Sequence, residues 1–155
     1  MRNIWAPWRT EYISKPKDVP CVFCSAPRNN DNLILKKGKT CFSIMNRYPY
    51  TTGHCMVAPY RHVGDLNDLD EKEIQEIFSM VKELITAIRS SLRPEGFNIG
   101  CNLGKVAGAG FADHIHVHVV PRWTGDTNFM PVLADVHMIS EHIEKTKEKI
   151  KESLY

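Results

Sequence analysis

Asp113-His114-Ile115-His116-Val117-His118-Val119-Val120-Pro121 is the stretch on which the reading of this chain turns. Its three imidazoles stand at i, i+2 and i+4, and side chains along an extended strand alternate between faces. His114, His116 and His118 are therefore expected on one face of a strand, with Ile115, Val117 and Val119 turned to the core on the other. A row of neutral imidazoles suits two chemistries. One is attack or proton transfer at a reacting atom, and the other is metal ligation, since His-x-His on a strand is also a way to present two zinc ligands.

The flanks bear on that choice. Upstream, Asn102-Leu103-Gly104-Lys105-Val106-Ala107-Gly108-Ala109-Gly110 carries three glycines, which let backbone approach a ligand closely and turn amides toward phosphate oxygens. Downstream comes Pro121-Arg122-Trp123. A phosphate-cradling loop that feeds a row of histidines reads as nucleophilic attack at phosphorus, in which an imidazole forms a phosphoramidate that water or phosphate later cleaves.

Five cysteines, an odd number, argue against a disulfide framework. Cys41, Cys55 and Cys101 stand singly in apolar segments and are expected to be small buried side chains. Cys21-Val22-Phe23-Cys24 differs, because a two-residue gap lets both thiolates turn toward one metal, which then needs two more ligands from elsewhere. At 155 residues, 43% hydrophobic, the chain suits a single domain over 1–155 with one sizeable core. A net charge of +2 does not call for nucleic acid or a membrane as partner. Met1 to Trp5 lead into Pro7, Trp8 and charged residues rather than an apolar leader, and no apolar run approaches membrane-spanning length, so a cytoplasmic protein is expected.

Residues 1–20 read as an arm packed on the domain, where Trp5 and Trp8 either anchor it or line a ligand or dimer surface. Residues 40–46 and 54–58 read as strands of a hairpin broken at Pro49 and Gly53. Ile74, Ile77, Phe78, Val81, Leu84, Ile85 and Ile88 recur at helical spacing as one buried face, and Asp70 with Glu73 forms a capping box at its start. Pro94 and Gly96 close that helix, and residues 97–102 read as a strand entering the glycine loop. Residues 136–155 form a C-terminal helical region, in which Ser140 is the expected cap of a helix through about Leu154 with Ile139, Ile143, Ile150 and Leu154 as a thin apolar stripe. The sum is an α+β fold with a mainly antiparallel sheet, one long helix and a C-terminal helix.

The chain resembles the histidine triad superfamily of nucleotidyl hydrolases and transferases, whose signature His-φ-His-φ-His-φ-φ, with φ apolar, is matched by His114 through Val120. Asn46-Arg47-Tyr48-Pro49-Tyr50-Thr51-Thr52-Gly53-His54-Cys55-Met56-Val57 is similar to that family's nucleoside-binding hairpin. The terminal stretches Trp5-Ala6-Pro7-Trp8-Arg9 and residues 121–130 resemble a bacterial and archaeal branch containing diadenosine tetraphosphate phosphorylases and related hydrolases. The resemblance implies a histidine triad fold and a homodimer with sheets joined across the interface. It also implies a closed, structural zinc site formed by Cys21, Cys24, His62 and His114, which leaves only one triad histidine to the metal.

By the same resemblance His116 is the nucleophile, His118 binds phosphate or protonates the leaving group, and His54 orients them. Asn46 contacts a ribose hydroxyl, although a turn asparagine is an equally good account of the residue alone. Asn102 and the amides around Gly108 and Gly110 stabilise phosphoryl charge. Two departures stand out. Many family members carry Gln in an Ala-Gly-Gln context before the triad, where this chain reads Ala107-Gly108-Ala109-Gly110-Phe111, and no hydroxyl residue occurs from Gly104 through Asp113. An inorganic phosphate would then be held by backbone amides, Lys105, Trp123 or Asn128. The expected activity is cleavage of adenosine-containing dinucleoside polyphosphates at the α-phosphate through a nucleotidyl-His116 intermediate, with water or phosphate as acceptor. A nucleoside phosphoramidase and a nucleotide-binding regulatory protein are the alternatives.

Overall fold

The computed structural model describes residues 21–126 and 141–155. Trp5, Trp8, Asn128, Ile139 and Ser140 lie outside them, and so do the expectations attached to those residues. Among the described residues the chain runs α1 (Val22–Arg28), β1 (Ile34–Lys37), β2 (Cys41–Met45), β3 (Cys55–Pro59), α2 (Glu71–Leu92), β4 (Gly96–Gly100), β5 (Val117–Arg122) and α3 (Ile143–Glu152). The strands form one antiparallel sheet in the order β1-β2-β3-β5-β4. The α+β reading holds.

The β2–β3 hairpin forms as its sequence predicts, with Ile44 paired to Met56 and Met45 to Cys55. Register then places the site. Met56 pairs with His118 on β5, so Ile44, Met56 and His118 form a cross-strand row on one sheet face. On the other face Val57 and Val119 are fully buried, and α2 packs against β2, β3 and β5. Strand β5 begins only at Val117, so of the triad His118 alone lies in the sheet, a correction to the expectation of three strand histidines. Ile115, Val117 and Val119 are all buried as expected, but His114 and His116 are buried too, so burial does not alternate along this stretch. β3 runs on to Pro59 but pairs with β5 only from Cys55 to Val57, so His114 and His116 lie beyond the last pair.

Helix α2 starts where the capping box requires. The Asp70 carboxylate accepts the Glu73 amide at 2.8 Å, and the Glu73 carboxylate accepts the Asp70 amide at 3.0 Å. It stops at Arg93, which turns left-handed (φ 52°) ahead of Pro94. The buried face departs from expectation. Ile77, Val81, Leu84 and Ile88 are buried, but Ile74 and Phe78 are exposed while Glu73, Met80 and Ala87 are buried in their stead. At about 100° per residue, Ile74, Phe78 and Ile85 fall on one flank of the stripe, and the sheet covers the opposite flank. The last helix is capped by His142, whose Nδ1 accepts the Glu144 amide at 3.4 Å, and it ends at Glu152 rather than Leu154. Its Ile150 is fully buried where α3 packs on α2. Cys41 and Cys55 are fully buried, and Cys101 is half-buried. No helix among the described residues is long and apolar enough to cross a membrane.

Candidate active site and metal centre

Three segments far apart in sequence bring Cys21, Cys24, His62 and His114 together, with one donor atom from each lying within 4.8 Å of all the others. Nδ1 of His114 is 3.4 Å from Sγ of Cys21, 3.5 Å from Sγ of Cys24 and 3.3 Å from Nδ1 of His62, and Cys24 Sγ is 3.3 Å from His62 Nδ1. A tetrahedron with bonds of about 2.3 Å to sulfur and 2.0–2.1 Å to nitrogen has edges of about 3.3 Å between nitrogens and about 3.5 Å from nitrogen to sulfur. The donors fit such a metal. His114 Nε2 donates to the Pro59 carbonyl at 3.0 Å, which leaves Nδ1 its lone pair for the centre. Burial pushes the His114 imidazole down to about 4, in keeping with a neutral ligand.

The loop carrying His62 is held from two sides. Arg61 grips the buried Glu73 through Nε at 2.8 Å and a second nitrogen at 2.6 Å, and it also donates to the Asp68 carbonyl at 2.8 Å. The Arg61 hydrogen bond holds the Glu73 carboxyl below its ordinary value. On the other side the Ile115 amide donates to the Val63 carbonyl at 2.7 Å. A Cβ on Gly64 would stand 2.9 Å from the Ala112 carbonyl oxygen, so only glycine lets this loop lie against the triad segment.

Beside the cluster lies a cavity of about 240 Å³. Its wall takes in Ile44 and Met56 from the sheet, Phe23 from α1, Asn46 and Tyr50 from the hairpin, and Gly108, Gly110, His116 and His118. Burial lowers the pKa of His116 and so keeps it neutral. Its Nδ1 donates to the His114 carbonyl at 2.9 Å, which leaves Nε2 as a bare lone pair. His118 is set the other way. The Tyr50 amide donates to His54 Nδ1 at 3.1 Å, so a neutral His54 carries its proton on Nε2, which lies 2.9 Å from His118 Nδ1. His118 Nδ1 accepts that proton, and its own proton sits on Nε2. Two neighbouring imidazoles, with ring centroids 4.8 Å apart, thus carry opposite functions on Nε2.

Asn46 acts as a turn residue and also lines the cavity. Its Oδ1 accepts the Tyr48 amide at 2.9 Å as a turn residue does, which orients Nδ2 toward His54 Nδ1 at 3.3 Å, and the side chain lines the cavity. Gly104 and Gly108 take positive φ (78° and 88°) around a short 3₁₀ turn, Lys105–Ala107, as the glycine loop requires. Asn102 does not line the cavity. Its Nδ2 stands 3.8 Å from where a Cβ on Gly108 would be, so it backs the loop. Trp123 is also absent from the wall: it lies past the end of β5 and donates Nε1 to the Arg93 carbonyl at 3.2 Å. At about 3.3 Å per residue, a strand carries a side chain five positions on from His118 far from the site. Sequence reasoning missed Phe23, Tyr50, Arg61 and Gly64; of these only Phe23, framed by the two cysteines, carried a signal that could have found it.

With its α+β sheet, Cys2His2 cluster and histidine-walled cavity, the chain belongs to the HIT domain family, whose model matches residues 27–125. The chain is 36% identical to the AP-4-A phosphorylase of Mycobacterium tuberculosis, over 95% of this chain and 81% of that protein. It is 30% identical to an adenosine 5'-monophosphoramidase of Schizosaccharomyces pombe, over 67% of this chain and 75% of that protein. Among solved structures, a Zn-bound histidine triad family protein from Mycobacterium smegmatis superposes with a TM-score of 0.72 at 28% identity, covering 86% of this chain and 92% of that one.

Proposed function

We propose that the protein cleaves adenosine-containing dinucleoside polyphosphates at the α-phosphate through a nucleotidyl-His116 intermediate. The observation that carries this reading is that Nδ1 of His116 faces the His114 carbonyl whereas Nδ1 of His118 faces His54 Nε2, an arrangement that favours opposite proton placement on the two Nε2 atoms. His116 Nε2 attacks the α-phosphorus and forms an N–P bond. The bond from phosphorus to the bridging oxygen breaks, its electron pair leaves with the departing nucleotide, and the His118 Nε2 proton neutralises that oxygen. Water or inorganic phosphate then gives a proton to His118 and attacks phosphorus, and the N–P electrons return to His116. His54 orients His118. Asn46 holds the ribose, and the amides around Gly108 and Gly110 receive phosphoryl charge. Asn102 supports that loop from behind, and Trp123 has no place at the cavity.

We infer that the metal is zinc. When bound, a Cys2His2 zinc supplies a structural cross-link and keeps no position open for substrate. The near-balanced charge supports a small-molecule substrate over nucleic acid or membrane partners. A cytoplasmic homodimer, each chain a single domain over 1–155, completes the proposal.

The alignment over 95% of the chain favours a dinucleoside polyphosphate, and the phosphoramidase relative supports the second reading, in which the same His116 displaces an amine. Diadenosine tetraphosphate assayed with and without inorganic phosphate separates the outcomes. ADP with ATP identifies phosphorolysis and AMP with ATP hydrolysis, whereas turnover confined to nucleoside phosphoramidates sinks the dinucleotide reading.

A further inference from the structure

The Phe23 ring lies between the metal cluster and the attacking imidazole. It stacks on His116 with centroids 4.5 Å apart and planes 27° from parallel, and its centroid is 5.2 Å from that of His114. The ring is buried, and Phe111 packs on its edge at 5.9 Å. Cys21 and Cys24, the two thiol donors of the cluster, flank it in sequence. A histidine ring needs such a support. Its second torsion has a broad, shallow minimum, and a single hydrogen bond at Nδ1 fixes one point of the ring but leaves the plane free to tilt. A flat face against the ring fixes the plane.

We propose that Phe23 is a positioning residue for His116: the Cys-x-x-Cys segment, once clamped by metal, presses the Phe23 face on the imidazole and so aims Nε2 at the α-phosphorus. This rests on the role of His116 proposed above. Two links then tie the metal to the nucleophile, since the carbonyl that accepts the His116 Nδ1 proton belongs to His114, itself a ligand. A closed metal site thereby governs the orientation of a group that it does not touch. An aim set this finely matters because small misplacements of a nucleophile cost rate steeply while costing little affinity.

The test replaces Phe23 by Leu and, separately, by Met, which keep apolar bulk without a flat face. Three quantities are read in the metal-loaded protein: metal content, the single-turnover rate of adduct formation on His116 with diadenosine tetraphosphate, and long-range proton–nitrogen NMR of the His116 ring. Expected are unchanged metal content, substrate affinity within about threefold, and adduct formation slower by about tenfold or more. The ring signals, sharp in the parent, broaden or split in both variants. If affinity falls while the adduct rate stays parental, Phe23 is a wall for the nucleoside and the proposal is overturned. Parental rates and sharp ring signals in either variant overturn it as well. Should the parent itself form no adduct, the catalytic reading fails, and the NMR arm still decides whether Phe23 holds the ring.

Discussion

His114 and His118 lie four residues apart on one extended segment, yet their surroundings assign them opposite tasks. Around His114 every partner is a donor atom with a lone pair turned to a common centre, and the Pro59 carbonyl takes the remaining proton. Around His118 the partners form a directed line, from the Tyr50 amide to His54 and from His54 to His118, which ends in a proton on Nε2. On the proposed reading, one ring holds a cation and the other gives up a proton. The lesson is that an imidazole's chemistry is set by whatever engages its far nitrogen, and here those partners are the Pro59 carbonyl for His114 and, for His118, the His54 ring, itself oriented by the Tyr50 amide.

The comparison breaks most severely at the cluster. Cys24→Ser is expected to abolish tight zinc binding and to destabilise the protein by roughly 5 kcal/mol, since metal binding free energy is folding free energy. At roughly 3 °C per kcal/mol for a chain of this size, Tm falls by about 15 °C. Elemental analysis with thermal denaturation checks both, and a parent protein that holds little zinc and ignores chelators would refute the assignment.

Next in size is the proposed nucleophile. His116→Ala should lower turnover by at least ~1,000-fold, about 4 kcal/mol of transition-state stabilisation, while fold, zinc content and nucleotide binding persist. His54→Ala, which removes the proton line without touching the cluster, should lower kcat by roughly 100-fold. Mass spectrometry for the adduct on each variant gives the decision; an adduct on His118 reverses the two roles.

A smaller change sharpens the hairpin side. Asn46→Ala should weaken nucleotide affinity by about tenfold, close to 1.4 kcal/mol. Calorimetric titration that returns parental affinity would leave the residue as a turn former only.

The smallest effect falls far from both histidine sites and serves as their control. Glu76 accepts the amides of Lys39, Thr40 and Cys41 and the Thr40 hydroxyl. Burial works against its charge, but these donors outweigh burial and bring the carboxyl down to about 2. A lowered folded-state pKa means that the carboxylate's stabilisation is complete above its unfolded value near 4.5 and disappears as pH falls toward about 2. Glu76→Gln should therefore cost about 1 kcal/mol near neutral pH. The urea-unfolding gap between parent and variant should shrink as pH falls from near 4.5 and close only as it reaches about 2, and a gap that stays constant over that range contradicts the assignment.

Much of this was legible in the residues because it depends on local spacing. Cys21 and Cys24, the capping box at Asp70 and Glu73, and the breaks at Pro49 and Gly53 each predict a feature that forms. Strand β1 escaped because it is four residues long, ends in two lysines and slips register between Ile34 and Lys36, so neither its length nor its alternation announces it. Trp123 misled because nearness in sequence is not nearness in space on a strand. The exposed Ile74 and Phe78 show that periodicity locates a stripe but not which of its flanks the sheet will cover. Tyr50, Arg61 and Gly64 gain their meaning only from what lies across from them.

The four metal donors come from chain segments separated by 38 residues, from Cys24 to His62, and by a further 52, from His62 to His114. Joining such segments costs loop entropy that grows only slowly with length, but it must be met before any bond to metal rewards it. The hairpin β2–β3 is local and forms without that cost. The cluster then assembles after the hairpin, as the equally non-local β3–β5 pairing must, and metal uptake by refolding chains should follow hairpin formation. A cell short of zinc would accumulate chains with a formed hairpin and an open Cys-x-x-Cys end, susceptible to proteolysis at α1 before anywhere in the sheet.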